Sequence, residues 1–164
     1  DLNAICSKAH LLWEDKGQVE EAKELLLGVL KVDTNNVACI SLLGRILADK
    51  HEVSAAEAQF LKAISLSEGK DMNAVRGYWN MLKESNDPRK WEQAEKTLQE
   101  MATKHPDNAS MLWYLAYCKL KTRFDLEGAK TLLLKTMSTH PDNAELLCSF
   151  AVFLDTQPDD KKTD

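Results

Sequence analysis

Side chains able to do chemistry are few in this 164-residue chain, and their spacing argues against a reactive site. Four histidines stand at His10, His51, His105 and His140. None pairs with another, or with a cysteine, at the short spacings that zinc sites use. The cysteines Cys6, Cys39, Cys118 and Cys148 contain no Cys-x-x-Cys pair. They read as buried or half-buried free thiols, because cysteine is among the most buried residue types. Four free thiols in turn imply a reducing compartment, cytoplasmic or nuclear. The adjacent carboxylates Glu20 and Glu21, and Asp159 and Asp160, point about 100° apart on a helix and read as solvated surface rather than as an acid–base pair. No Gly-x-x-x-x-Gly-Lys phosphate loop and no Gly-x-Ser-x-Gly nucleophile elbow occurs. The expectation is a protein that is not an enzyme and holds neither metal nor cofactor.

The elements that carry these residues repeat. Laying residues 3–36 over 37–70 pairs Val19 with Val53, Ala22 with Ala56, Leu26 with Phe60, Leu30 with Ile64 and Val32 with Leu66, every pair 34 apart. His105-Pro106-Asp107-Asn108-Ala109 returns as His140-Pro141-Asp142-Asn143-Ala144, a shift of 35 shared by Ala94 and Ala129. Repetition of a linker marks a structural role: His105 and His140 read as helix C-terminal residues facing the negative end of the helix dipole. Within one repeat the apolar spacing is helical, since Ala22, Leu25, Leu26, Val29 and Leu30 form a single stripe. Leu43, Ile46 and Leu47 mark a first helix in the next repeat, and Ala56, Phe60, Ala63 and Ile64 its partner. Between repeats lie Asp33-Thr34-Asn35-Asn36, Gly69-Lys70-Asp71 and the two His-Pro-Asp-Asn linkers, whose Asp and Asn side chains can cap the helix that follows. Each repeat is then a helix, a tight turn, a second helix and a short linker. A hairpin of this kind buries its apolar faces only by stacking on neighbours.

Composition agrees. Hydrophobic residues make up 44% and charged residues 29%, with only 6 Gly and 4 Pro, a mix that favours packed helices. The formal charge of -5 disfavours an electrostatic grip on a phosphate backbone, which makes nucleic acid an unlikely partner. No run approaches the roughly 20 apolar residues a membrane span needs, and no signal peptide opens the chain. Because residue 1 is Asp, the expectation is a segment of a longer protein.

The repeat resembles the tetratricopeptide repeat. Ile40, Leu43, Gly44, Leu47, Ala56, Phe60 and Ala63 fall on that family's pattern in the second repeat, and Ala9, Trp13, Gly17, Ala22, Leu26 and Val29 in the first, where His10 replaces a small residue and Thr34 a proline. Leu112, Leu115, Ala116, Ala129, Leu133 and Pro141 match in the fourth if its turn is one residue longer. In the third, Asp87-Pro88 reads as an N-cap followed by proline at the first helical position, so its second helix starts near residue 88. That register puts Val75, Tyr78 and Leu82 on the core face and Trp79 where a small residue is usual. The resemblance implies an all-α, right-handed α-solenoid of antiparallel helix pairs over residues 1–154. Its repeats are about 3–36, 37–70, 72–108 and 109–143, followed by a final helix over 144–154. Residues 155–164 read as a disordered tail or linker.

The function implied by the resemblance is that of a non-catalytic protein–protein interaction scaffold binding a peptide or partner protein along its concave groove. Carrying the family's groove positions over gives Ser41 and Arg45 in the second repeat, Arg76, Asn80 and Lys83 in the third, and Trp113 and Tyr117 in the fourth. Trp, Tyr and Arg are the residues most often dominant at interfaces, although either ring can equally pack between repeats. Some members hold the C-terminal carboxylate of a chaperone through a clamp of Asn and basic residues; Leu11 and Leu42 stand where clamp Asn residues would be, so the clamp is expected to be absent. The alternative is an RNA-binding or RNA-processing helical repeat. The 35-residue shift suggests the pentatricopeptide family and Trp113-Tyr114 the half-a-tetratricopeptide repeats, but the acidic balance and the incomplete motifs argue against both.

Overall fold

The computed structural model describes residues 1–85, 87–123, 126–141 and 150–151. Eight helices occur among them: α1 (Leu2–Glu14), α2 (Val19–Val32), α3 (Val37–Asp49), α4 (Val53–Leu66), α5 (Met72–Lys83), α6 (Pro88–Lys104), α7 (Ala109–Arg123) and α8 (Leu126–Thr139). No strand is present among the described residues. The chain divides into two compact units, Asp1–Ser85 and Asn86–Asp164.

Local chemistry explains where the helices begin. Asn36 Oδ1 accepts from Cys39 N at 3.1 Å to open α3, and Asn108 Oδ1 accepts from Met111 N at 3.0 Å to open α7. Asp71 and Asp87 cap α5 and α6 through the amides of Asn73 and Arg89. Pro88 occupies the start of α6, as the Asp-Pro reading expects; its missing N–H is one that a helix start leaves without an intrahelical partner anyway. Helices α2 and α4 have no side-chain cap because each enters directly from a tight turn. Gly17 at φ +63° and His51 at φ +60° make these turns, 34 residues apart and both left-handed. At the second, Glu52 N returns to the Leu47 carbonyl at 2.9 Å, which closes the end of α3.

In the first unit α1 packs on α2 and α3 on α4, while α5 lies against both α3 and α4. Ala9, Leu26, Ile40, Ile46, Ala56, Phe60 and Ala63 are sealed from solvent. So, almost completely, are Val75, Tyr78 and Leu82, on the face of α5 that the sequence register assigns to the core. Phe60 sits in a slot made by two glycines: a Cβ built at Gly44 would lie 2.8 Å from its ring, and one at Gly77 2.5 Å. Where His10 replaces the small residue 34 positions before Gly44, the shorter Leu26 stands in place of Phe60, which removes the need for a glycine there.

In the second unit α7 packs between α6 and α8. Trp91, Ala94 and Leu98 of α6 are buried, as are Met111, Tyr114 and Leu115 of α7. Ala116, Ala129 and Leu133 form a small core, against which Trp113, Leu132 and Phe150 pack. Phe150 and Ala151 are helical; the rest of the final helix expected over 144–154, like the tail over 155–164, lies outside the described residues.

One expectation is overturned. Cys6 and Cys39, read from sequence as free thiols, are joined in a disulfide, with their Cα atoms 5.7 Å apart. The reason is topological: α1 and α3 lie side by side as first helices of successive repeats, which brings together two residues 33 apart in sequence. Cys118 is a buried thiol, and Cys148 lies outside the described residues. The inference of a reducing compartment therefore loses its premise. Among the described residues no helix is long and apolar enough to cross a membrane.

Candidate functional site

Three first helices of the Asp1–Ser85 unit, α1, α3 and α5, lie in contact as α1 on α3 and α3 on α5. Their shared face carries two clefts that meet at Arg45. One, of about 700 Å³, is bordered by Leu11, Val37, Leu42, Ser41, Arg45 and Asp71. The other, of about 770 Å³, is bordered by Trp13, Arg45, Asn73, Arg76 and Asn80. Helical geometry sets the second wall: Asn73, Arg76 and Asn80 recur at i, i+3 and i+7 and so share one side of α5.

Arg45 is engaged. Its Nη2 donates to Glu14 Oε1 at 2.8 Å, and its guanidinium carbon lies 4.7 Å from the centre of the Trp13 ring. Its Nη1 is 3.3 Å from His10 Nε2, while that same nitrogen lies 3.2 Å from Glu14 Oε1. One ring nitrogen cannot accept from Arg45 and donate to Glu14 at once, so which of the two contacts is a hydrogen bond depends on the His10 tautomer. The Arg45 and Glu14 side chains are about one-third and two-fifths exposed, so the ion pair is worth at most about 1 kcal/mol. Its effect is chiefly to hold the guanidinium over Trp13, where the ring quadrupole also attracts it.

The structure brings Arg45, Arg76 and Asn80 to one cleft and Ser41 and Arg45 to the other. Ser41 is buried rather than displayed, at 3% exposure. Lys83 is exposed and borders neither cleft. Sequence reasoning missed His10, Trp13, Glu14 and Asp71 on this face. The i, i+4 spacing of His10 and Glu14 was the available signal, since it places the two on one side of α1.

Trp113 and Tyr117 belong to the second unit. Both are half-buried, with ring centres 6.0 Å apart, and Trp91 of α6 lies 5.9 Å from Tyr117. Trp113 also packs on the Ala116–Ala129–Leu133 core, so it spends part of its surface on folding. Beside them Glu95, only 7% exposed, pairs with Lys119 at 3.5 Å. Burial pushes the Cys118 thiol up to about 12, and the negative charge of Glu95 pushes it the same way. A thiol so far from ionising is not a nucleophile at neutral pH.

No family model matches the chain, and no curated protein matches it in sequence. Among solved structures it is similar to that of PilF from Pseudomonas aeruginosa, at 20% identity and a TM-score of 0.68, over 93% of this chain and 67% of that one. Identity this low speaks to the fold alone. With its helix pairs and its first helices in contact, the chain has the all-α fold of a tetratricopeptide-type helical repeat.

Proposed function

We propose that this chain is a non-catalytic scaffold that binds a peptide or partner protein on the first-helix faces of its repeats. In the Asp1–Ser85 unit the binding surface is the α1–α3–α5 face, with Ser41, Arg45, Arg76, Asn80 and Lys83; in the other unit it is the part of α7 that carries Trp113 and Tyr117. The observation that carries this reading is the pair of clefts meeting at Arg45, each of a size that accepts side chains and each walled by both apolar and polar groups. Arg76 and Asn80 are exposed at the rim of one of them. Such an arrangement supports recognition rather than reaction, because the hydroxyls bordering the first cleft are not joined to its imidazole: Ser7 Oγ donates to the Asn3 carbonyl, Ser41 Oγ makes no hydrogen bond, and His10 Nε2 lies against Arg45 and Glu14.

The test is site-specific photo-crosslinking in cell extract, with a benzophenone amino acid replacing Asn80, Tyr117 or, as a control, the exposed Glu24 of α2. Protein adducts at Asn80 or Tyr117 and none at Glu24 are expected. Adducts confined to Glu24 would move the surface elsewhere. Adducts to RNA at the first-helix positions, lost steeply as salt is raised, would replace the reading with RNA binding.

A further inference from the structure

The cleft bordered by Trp13, Arg76 and Asn80 carries opposite charges at its two ends. Val37 opens α3 and Asp71 caps α5, and both border the neighbouring cleft; Asp49 ends α3 and Glu84 caps the far end of α5, and both border this one. The two helices therefore run the same way along the groove. On α3, Asp49 follows Arg45 by one turn, and on α5, Glu84 follows Arg76 by about two, so each helix passes from cation to anion in the same direction.

The positive end holds more cation than the fold neutralises. Glu14 of α1 and Arg45 of α3, 31 apart in sequence, are paired at 2.8 Å. The same step from α3 to α5 leads from Arg45 to Arg76, which is exposed, so one carboxylate answers two guanidiniums. At the other end Asp49 and Glu84 are exposed, and among the described residues neither they nor Arg76 make an ion pair. Lys50 and Lys83, next to them in sequence, border neither cleft and so do not cancel the acidic end. Between the ends the α5 wall is uncharged, with Gly77, Asn80 and Met81. The eight residues from Arg76 to Glu84 span about 12 Å of helix. An extended peptide covers that distance in about four residues, and side chains four apart on a strand point to one face.

We infer that this cleft takes an extended segment of a partner protein carrying one acidic and one basic side chain four residues apart, the acid set against Arg76 and the base against Asp49 and Glu84. An uncharged side chain midway between them lies over Asn80 and Met81. The inference rests on the reading of the first-helix face as the binding surface, and it adds a charge order that a uniformly acidic or uniformly basic segment does not satisfy.

The test uses the full chain, labelled for amide NMR, and three peptides: acetyl-Ala-Glu-Ala-Leu-Ala-Lys-Ala-amide and its versions with Glu at both charged positions or Lys at both. His51 also borders the cleft, so every titration is made at one fixed pH. The mixed peptide is expected to shift the amides of Arg76, Asn80 and Glu84 saturably and to bind at least about threefold more tightly than either uniform version, an advantage that shrinks as salt is raised. R76E should move the preference to the two-lysine peptide, and E84K combined with D49N should move it to the two-glutamate peptide. Both variants alter exposed side chains alone and should keep the melting temperature of the parent. Equal binding of the three peptides, tighter binding of a uniform one to the parent chain, or one unchanged preference in all three proteins overturns the charge order and leaves the binding face standing. No shift with any peptide, with crosslinks still forming at Asn80, also overturns the charge order alone. No shift and no first-helix crosslinks removes both.

Discussion

Gly77 of α5 has no room for a side chain because Phe60 of α4 fills the space: a Cβ there would stand 2.5 Å from Cε1 and Cζ of the ring. Neither atom belongs to a flexible tail, since the ring is itself fully buried against Gly44 on its other neighbour, α3. Gly77→Ala should therefore destabilise the Asp1–Ser85 unit by about 1–3 kcal/mol through overpacking, even though alanine favours a helix by about 1 kcal/mol over glycine. Phe60→Leu in the same chain should restore most of that loss, as Leu26 does in the first repeat. Urea melts of the two single variants and the double variant give the coupling energy. A neutral or stabilising Gly77→Ala would show that the helices part without cost.

The Cys6–Cys39 bond closes a loop of 33 residues around α2. Loop-closure entropy for that length corresponds to about 3–4 kcal/mol. Cys6→Ser, or reduction of the native chain, should lower stability to the unfolding of the first unit by about that amount and leave the helix content at low temperature unchanged. Circular dichroism with and without a phosphine reductant reads both quantities. Coincident curves would mean the sulfurs are not bonded in solution.

His51 holds a left-handed backbone, φ +60°, at the place where the first repeat has Gly17 at φ +63°. A residue with a Cβ costs roughly 1–2 kcal/mol in that conformation, of which glycine's greater freedom in the unfolded chain offsets about 0.5–1. His51→Gly should accordingly raise stability by up to about 1 kcal/mol, and His51→Val should lower it. A chemical denaturation midpoint for each variant decides the order. If the valine variant were as stable as the glycine one, the backbone strain argument would fail.

Cys118, with its thiol pushed up to about 12 by burial and by Glu95, should resist alkylation in the folded protein at pH 8 and react once urea unfolds it. The sign of the linked stability follows. In the unfolded chain the thiol ionises near its ordinary value of about 8.5, whereas in the folded chain it stays protonated, so its contribution is complete below that pH and is lost as pH rises toward about 12. Cys118→Ala should flatten stability between those limits. Peptide mapping after iodoacetamide treatment follows Cys118 by itself; rapid labelling in the native state would contradict its burial.

Charge at Arg76 should matter for binding and not for folding. Its side chain is exposed on the rim of the Trp13–Asn80 cleft. Arg76→Glu should weaken photo-crosslinked partner recovery at Asn80 severalfold while changing stability by less than about 0.5 kcal/mol. Calorimetry of the variant and crosslink yield together separate the two; a large drop in melting temperature with normal yield would assign Arg76 to the fold.

Helices and their starts were legible because their signals are local. Asn36, Asp71, Asp87 and Asn108 cap the next helix by reaching two or three residues along the chain, and the 34-residue repetition of Val19 with Val53 and Leu26 with Phe60 depends on order alone. What stayed hidden depends on which helix lies beside which. Cys6 meets Cys39 because first helices of successive repeats adjoin, and a single sequence gives no sign that these two thiols share a side. Gly77 was overlooked because the register puts Trp79, not Gly77, where a small residue is usual, and the pattern looks for a small residue at a fixed place and not for space around a ring. On the α1–α3–α5 face the family register picked out Arg76 and Asn80, which border one cleft, but the engagement of Arg45 by Glu14 and Trp13, and the burial of Ser41, follow from side-chain geometry that no register contains.

Pulled apart at its two ends, the chain would not carry tension uniformly. Force entering at residue 1 passes from Cys6 to Cys39 through sulfur, so the backbone from residue 7 to residue 38, all of α2 included, stays slack. Stretching would release roughly 110 Å less contour length than the residue count implies, since each extended residue contributes about 3.5 Å. After the short part of α1 that precedes Cys6, the next load-bearing helical segment would be the part of α3 beyond Cys39, which makes that helix the mechanical entrance to the rest of the protein.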